Sequence, residues 1–483
     1  MKRILSALLA GLLLTSALTA CATEKNPDDT SDGTQSSKLE ETEDVNFPAI
    51  EKQNYNGASF HMIGWEGHSD WFFAKEYKNG GQDINVLNNT VYEMNVLVEE
   101  YLGVELSFEA APISTGHEVY NTVYPTIMAG DDTYQFCTLE PYYDNISFIT
   151  NNYALDLHQL EAIDLNQPYW NQDVIDTLSI EGHAYLGVGD ICKYRLAILY
   201  CNKDLMKKAG RQIPYDLVRN GEWTLDQLIS LSSGLYADNG DGQRNAMDTY
   251  GLANYWDINA TTLMQASGIY VAAKNTDGVF ELTLYSEKLV DFYDKLYNWC
   301  KDESVHVWNY HDPDFTVDFK DNHSYFTIAD LGVQYLNTDF STGILPLPKY
   351  DVAQKDYAHQ NWGNNILIPN TVQNKDMVGQ VVELMAYYCS TIVTDKYYDE
   401  VLQLRVSEAP DDRDMVELIY DTVVFDPGIA YGDGCPQLMN LIYTIHRGIL
   451  EDQSNISSYY KTNEKVASKW LKNMNKKIQR FDQ

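Results

Sequence analysis

The chain has 483 residues, more than one hydrophobic core usually serves, and its 44% hydrophobic content can fill substantial cores, so two domains or lobes are expected. The 70 acidic residues outnumber 34 basic ones for a formal net charge of −36, which argues against nucleic acid as a partner, because phosphate binding relies on clustered Lys and Arg. The same acidity suits an exposed surface protein and says little about a small ligand.

Lys2 and Arg3 form a short basic start, and Ile4 to Ala20 form an apolar run without charge. A membrane span needs roughly 20 apolar residues. A basic start, an apolar middle and small residues before a cut site describe an export signal, residues 1–20. Leu18-Thr19-Ala20-Cys21 resembles the bacterial lipobox, which implies that Cys21 is lipidated and becomes the mature N-terminus. Residues 21–45 carry almost no large apolar side chain and predict a disordered tether. A lipid and a tether place the body on the extracytoplasmic face of the cell membrane.

Beyond the tether, Ala58 to Ile63 predicts a first strand, ending at Gly64-Trp65-Glu66-Gly67. Ile84, Leu87, Val91, Met94, Val98 and Tyr101 or Leu102 keep the three-and-four spacing of a helix with one buried stripe, and Gly103 sits where its C-terminal cap belongs. Val104, Leu106 and Phe108 alternate as a strand. A second helix runs to Met128-Ala129-Gly130, and Tyr134 to Leu139 predicts the next strand. Alternating strands and helices are the pattern of an α/β layer. Further strands are predicted at Ala184–Val188, Leu196–Cys201, Ser324–Ile328 and Gly343–Leu347. Thr224 and Gln227 make a capping box, with Trp223 before it as a hydrophobic staple. Ser286 opens a helix with Leu289, Phe292, Leu296 and Trp299 on one side, Asp376 precedes another, and Tyr459–Ile478 is a helical tail. No tandem repeat is evident, which argues against a solenoid.

At Ile180 to Leu205 the chain reads IEGHAYLGVGDICKYRLAILYCNKDL. This segment resembles the first lobe crossing of family 1 extracellular solute-binding proteins, relatives of the maltodextrin-binding protein. In that family a strand ends Tyr-Asn-Lys-Asp-Leu. Tyr200, Asn202, Lys203 and Asp204 match it, with Cys201 inserted. Met128-Ala129-Gly130-Asp131, Glu222-Trp223-Thr224, Gly343 to Pro348 and Asn364 to Pro369 match in the same order, so the resemblance runs from about Gly57 to the C-terminus. It implies an α/β, two-lobed periplasmic-binding-protein-like fold of type II, each lobe a mixed sheet flanked by helices, with a cleft between the lobes. The first lobe would take 46–203 plus 362–422, and the second 204–361 plus 423–483. The implied function is capture of a small solute, a sugar or oligosaccharide, by a monomer that delivers it to the permease of an ABC importer, without catalysis. A peptide, polyamine or other non-sugar solute is the alternative within this fold. A carbohydrate-active hydrolase is the alternative outside it.

Sugar sites combine aromatic platforms with carboxylates and amides that bond hydroxyls. Strand-end loops supply the candidates Trp65 and Glu66, Glu140, Asp330, Trp362 and Asn364, and Asp433 beside Tyr431-Gly432. Tyr255, Trp256 and Asp257 resemble the family segment that supplies a stacking aromatic from the second lobe. Arg195, within the crossing, could bridge the lobes or meet an anionic ligand. Trp223 and Trp299 are assigned to packing.

Asp238-Asn239-Gly240-Asp241-Gly242 hints at a structural calcium ion. Read as a loop from Ala237, it offers Asn239, Asp241, Gln243 and Asp248, although position one is Ala and position twelve is not Glu. Asn-Gly and Asp-Gly turn chemistry accounts for the same residues. The cysteines other than Cys21 are scattered with no zinc spacing, and only Cys192 with Cys201 is a sequence-local pair. No G-x-S-x-G elbow, HExxH helix or phosphate loop appears.

Overall fold

The computed structural model describes residues 47–77, 83–308, 317–332, 338–394, 396–397, 410–453 and 455–481, without the side chains of 83–85, 254–258, 308 and 317–318. The expected signal, the Cys21 lipidation site and the tether lie outside the described residues. In chain order the strands are β1 (Ala58–Trp65), β2 (Val104–Ala111), β3 (Phe136–Leu139), β4 (Ala197–Asn202), β5 (Tyr250–Tyr255), β6 (Ala272–Lys274) and β7 (Phe280–Leu282). They continue with β8 (Val305–Trp308), β9 (Ser324–Asp330), β10 (Thr342–Leu345), β11 (His359–Gln360), β12 (Asn365–Leu367) and β13 (Val423–Val424).

Two mixed sheets result, each flanked by helices. The first has the order β12-β3-β1-β2, with β1 parallel to both neighbours and β12 antiparallel to β3. The second has the order β10-β4-β9-β5-β8, with β4 antiparallel to β9 and β10, and β5 parallel to β8 and β9. The predicted α/β class with two mixed sheets is therefore what the chain adopts.

Local sequence explains the helices. In Asp83–Leu102 the residues Val91, Met94, Val98 and Leu102 are fully buried, as the stripe predicts, and Gly103 takes the left-handed conformation (φ 61°) that ends it. In Lys375–Tyr388 the buried face includes Val378, Val381, Val382 and Met385, and these pack in one core with the first helix and the first sheet. Ser286 caps Glu287–Trp299 by accepting the Leu289 N–H at 3.1 Å, and Thr224 caps Leu225–Ser232 through Gln227 N–H at 3.4 Å. Trp223 and Trp299 are buried, donating to Pro346 O at 2.9 Å and Ser232 Oγ at 3.0 Å, which fits their packing role.

Three expectations change. Ala184–Val188 is not a strand: Gly187 and Gly189 form single bridges to Ile366 and Trp170. A side chain on Gly189 would lie 2.2 Å from Tyr169 O, so close backbone contact replaces a ladder. Strand β4 falls inside the expected first-lobe span 46–203, yet it pairs in the second sheet. The helix Pro410–Asp421, expected with the first lobe, is tied to the second sheet through Asp412, which accepts the Ile344 N–H at 2.9 Å and holds Lys203 Nζ at 2.5 Å.

Two of the segments that join the sheets are bonded to each other. Asn361 Oδ1 accepts the N–H groups of Arg195 and Gly363, both at 2.8 Å, and Trp362 N donates to Arg195 O at 2.9 Å. Asn361 N donates to Val424 O at 3.0 Å, and β11 pairs with β13 in parallel. The crossings are thus bonded to one another as well as to the sheets. Among the described residues no helix is long and apolar enough to cross a membrane. All six described cysteines are free thiols, so Cys192 and Cys201 are not joined.

Candidate functional site

In open α/β sheets, ligands sit outside the carboxyl ends of the parallel strands. For the first sheet these ends are Trp65 and Leu139, and the loops beyond them carry His68 and then Glu140, Tyr142 and Tyr143. For the second sheet the end of β9 is Asp330, whose register partner Ala197 opens β4 just after the crossing residue Arg195. Strand direction therefore brings the two sheets' loops and the crossings to one place.

One side of this place is a run of rings. His68 and Trp65 have centroids 5.7 Å apart, Trp65 and Tyr143 5.0 Å at 71°, Tyr143 and Tyr142 4.3 Å, and Tyr142 and Trp362 5.9 Å at 75°. Trp362 Nε1 donates to Thr262 Oγ1 at 3.0 Å, which anchors the run to the helix Trp256–Ala266 beside the second sheet. Edge-to-face contacts of this kind hold rings in fixed orientations.

Charged groups lie beside the rings. Arg195 Nε donates to Asp330 Oδ2 at 2.7 Å, and Glu140 and the Tyr142 phenol act electrostatically on the same guanidinium. Glu140 Oε1 lies 3.7 Å from His68 Nε2. Burial, then Glu140, Tyr143 and Tyr443, hold the Tyr142 phenol protonated far above its ordinary range. It is a hydrogen-bond donor at any physiological pH.

Two donor-capable atoms in this group have no partner: Trp65 Nε1 and His68 Nδ1, both buried. A buried polar atom left unpaired costs about 1–3 kcal/mol, so such atoms call for an explanation, and a bound molecule or water is the usual one. Asn361 Nδ2, at the crossings, is a third.

The structure sorts the sequence candidates. Trp65, Glu140, Arg195, Asp330 and Trp362 come together as described. Glu66 is exposed beside Trp65, and its N–H extends the sheet to Ala111 O at 2.9 Å. Asn364 is fully committed elsewhere: Oδ1 accepts Lys193 N–H and Nδ2 donates to Thr138 Oγ1, each at 2.9 Å, so it locks the crossing to β3. Asp433 accepts the Asp144 N–H at 3.1 Å and stands with His117 rather than with the ring run. Tyr255 ends β5 and Trp256 and Asp257 begin the next helix, but their side chains lie outside the described residues. Sequence reasoning missed His68, Tyr142 and Tyr143, although each follows a flagged residue in the same loop. Nothing local signals Thr262 or Tyr443.

In the 237–248 loop, carboxylate oxygens of Asp238, Asp241 and Asp248 lie within 4.8 Å of one another. They are occupied by turn bonds: Asp248 accepts Asn239 N–H at 3.0 Å, Asn245 N–H at 3.0 Å and the Tyr236 hydroxyl at 2.9 Å. Asp238 Oδ1 accepts from Gly240 and Gly242, and Asn239 Oδ1 and Asp241 Oδ1 accept from Asp241 and Gln243 N–H. Asn239 and Gln243 are exposed and serve the turn in this way.

The chain matches no protein-family model and no curated protein by sequence. Solved structures match along almost their whole length. An ABC substrate-binding protein from Listeria monocytogenes in complex with cycloalternan aligns with a TM-score of 0.57 and 15% identity, over 86% of this chain and 99% of that one. The galacto-N-biose/lacto-N-biose I-binding protein of Bifidobacterium longum, in complex with lacto-N-biose, gives 0.57 and 10%, over 87% and 98%. UgpB from Mycobacterium tuberculosis, in complex with glycerophosphocholine, gives 0.54 and 13%, over 88% and 97%. The chain has the fold of these proteins, which is the fold that the resemblance implied.

Proposed function

We propose that this chain, folded as ABC-importer solute-binding proteins are, captures a sugar or oligosaccharide between its two sheets and hands it to an importer permease, without catalysing a reaction. The observation that carries the reading is the pair of unpaired, buried polar atoms, Trp65 Nε1 and His68 Nδ1, set in a run of rings beside the Arg195–Asp330 pair and Glu140. A sugar offers both of what this arrangement takes: C–H faces that stack on rings, and hydroxyls that accept from N–H and donate to carboxylates. The proteins of similar fold in complex with cycloalternan and lacto-N-biose support the same substrate class.

The two lobes would be centred on the two sheets, with 190–196 and 361–364 among the segments that join them and hinge closure trapping the solute. The Cys21 lipid and the tether would hold the protein at the extracytoplasmic face of the membrane, where a permease can be met. Trp256, by its place after β5, is a further candidate platform.

The test is thermal unfolding of the purified chain against mono- and oligosaccharides, peptides, polyamines and glycerophosphodiesters. A ligand of the folded state at 100 times its Kd adds about 2.7 kcal/mol and raises the Tm. A shift with one glycan class, and no glycan breakdown, is the expected result. A shift only with peptides, polyamines or phosphodiesters would discard the sugar. Release of reducing ends would discard the non-catalytic reading.

A further inference from the structure

Next to the ring run, three side chains that the solute site does not use converge. His117 precedes the helix Glu118–Ala129, Asp144 precedes the helix Asn145–Thr150, and Asp433 lies in the turn Gly432–Gly434, 289 residues beyond Asp144. His117 Nδ1 is 3.0 Å from Asp144 Oδ1, and Asp433 Oδ2 accepts the Asp144 N–H at 3.1 Å. One nitrogen of His117 and one oxygen from each carboxylate lie within 4.8 Å of one another.

A separate observation says that something is missing. The Asp144 side chain is only 5% exposed, and its Oδ2 has no hydrogen-bond partner. A carboxylate oxygen in that position requires a donor or a cation. Asp433 and Glu118 add further negative charge around it. His117 bonds Oδ1, which leaves Oδ2 without a donor or a cation.

We propose that His117, Asp144 and Asp433 form a binding site for one divalent transition-metal ion of the zinc class. The ligands would be an imidazole nitrogen and two carboxylate oxygens, leaving a fourth position for water. Zinc–nitrogen and zinc–oxygen bonds of about 2.0–2.2 Å place tetrahedral ligand atoms roughly 3.3 Å apart, so atoms now within 4.8 Å of one another need to close by at most about 1.5 Å. His117, whose side chain is 42% exposed, has room to make that movement. Calcium prefers six to eight oxygens and magnesium retains its waters, whereas one imidazole with two carboxylates suits zinc and its neighbours.

The ion would tie the loops after β2 and β3 to a turn from the C-terminal part of the chain. His117 stands edge-on to Tyr143 at 5.9 Å, and Tyr143 packs on Trp65, so the ion would also fix one wall of the candidate solute site. The metal assignment does not depend on the solute reading, because metal binding can be measured with no solute present.

The experiment is calorimetric titration of the chelator-stripped chain with Zn²⁺ alone, with dialysis to count ions per chain. One site with a Kd below about 10 μM is expected. His117→Gln and Asp433→Asn should each weaken it at least about tenfold, since each removes one of three ligands. Asp433→Asn keeps an oxygen to accept the Asp144 N–H, and far-UV circular dichroism checks that both variants fold. Asp241→Asn, in the 237–248 loop, should leave binding unchanged. Absence of binding, binding that survives both ligand substitutions, or binding lost in Asp241→Asn would each overturn the assignment.

Discussion

Arg195 Nε and Asp330 Oδ2 meet at 2.7 Å across 135 residues of sequence, one on a crossing and the other at the end of a central strand of the second sheet. Each is part-exposed, and Glu140, from the loop after β3, acts on the same guanidinium. An exposed ion pair of this kind adds little to folding, about 0–1 kcal/mol. Its position at the ring wall suits binding better than stability. Arg195→Gln or Asp330→Asn should therefore lower solute affinity at least about tenfold, the loss expected when a charged hydrogen-bonding group is removed from a site. The Tm should move by no more than a few degrees. Isothermal titration with the glycan identified by thermal shift checks this, and unchanged affinity in both variants would remove the pair from the site.

Asp412 behaves oppositely. It is buried, holds Lys203 Nζ at 2.5 Å, accepts the Ile344 N–H at 2.9 Å, and bonds the Tyr215 hydroxyl. Asp412→Ala strands a cation, an amide and a phenol together. A loss of about 3–5 kcal/mol is expected, as for other broken buried pairs. Urea unfolding measures it, and a loss below 1 kcal/mol would show that water replaces the carboxylate.

Gly363 sits where two crossings touch. A Cβ there would lie 2.1 Å from Lys193 O and 2.8 Å from Arg195 N, both backbone atoms that cannot rotate away. Gly363→Ala should cost about 2–4 kcal/mol through forced separation of the crossings. It should also weaken solute binding, because Arg195 and Trp362 flank the contact. A variant with wild-type Tm and affinity would show that the crossings have slack.

Glu383 gives a pH signature. It accepts from the Tyr169 hydroxyl at 2.6 Å and from Trp170 Nε1 at 2.9 Å, and burial pushes its carboxyl up from 4.5 to about 7 despite those bonds. A carboxyl raised in the folded state contributes its full stability below the unfolded pKa and loses it as pH rises through the folded one. Between pH 4.5 and about 7 this residue alone should lower stability by about 3 kcal/mol. Glu383→Gln, which cannot ionise, should flatten the slope relative to the parent across that window. Urea midpoints at pH 4.5 and 7.5 for both proteins make the comparison, and parallel slopes would refute the assignment.

Local patterns in the sequence determined most of the secondary structure and the class of fold. Stripes such as Val91, Met94, Val98 and Leu102, and caps such as Ser286 and Gly103, are written within one or two turns of chain, where helix periodicity and backbone bonding act. Ala184–Val188 has a strand-like composition, but two glycines pressed against Tyr169 and Ile366 leave only isolated bridges. Of the site, the sequence offered Trp65, Glu140, Arg195, Asp330 and Trp362, because strand-end loops with aromatic and charged residues can be recognised one at a time. It could not reveal that Asn364 spends its amide on Lys193 and Thr138, or that Asp433 belongs with His117 and Asp144. Those outcomes depend on which polar groups meet after the chain has crossed between the sheets. Hydrogen-bond partners hundreds of residues apart leave no periodic trace, and only the tertiary structure decides them.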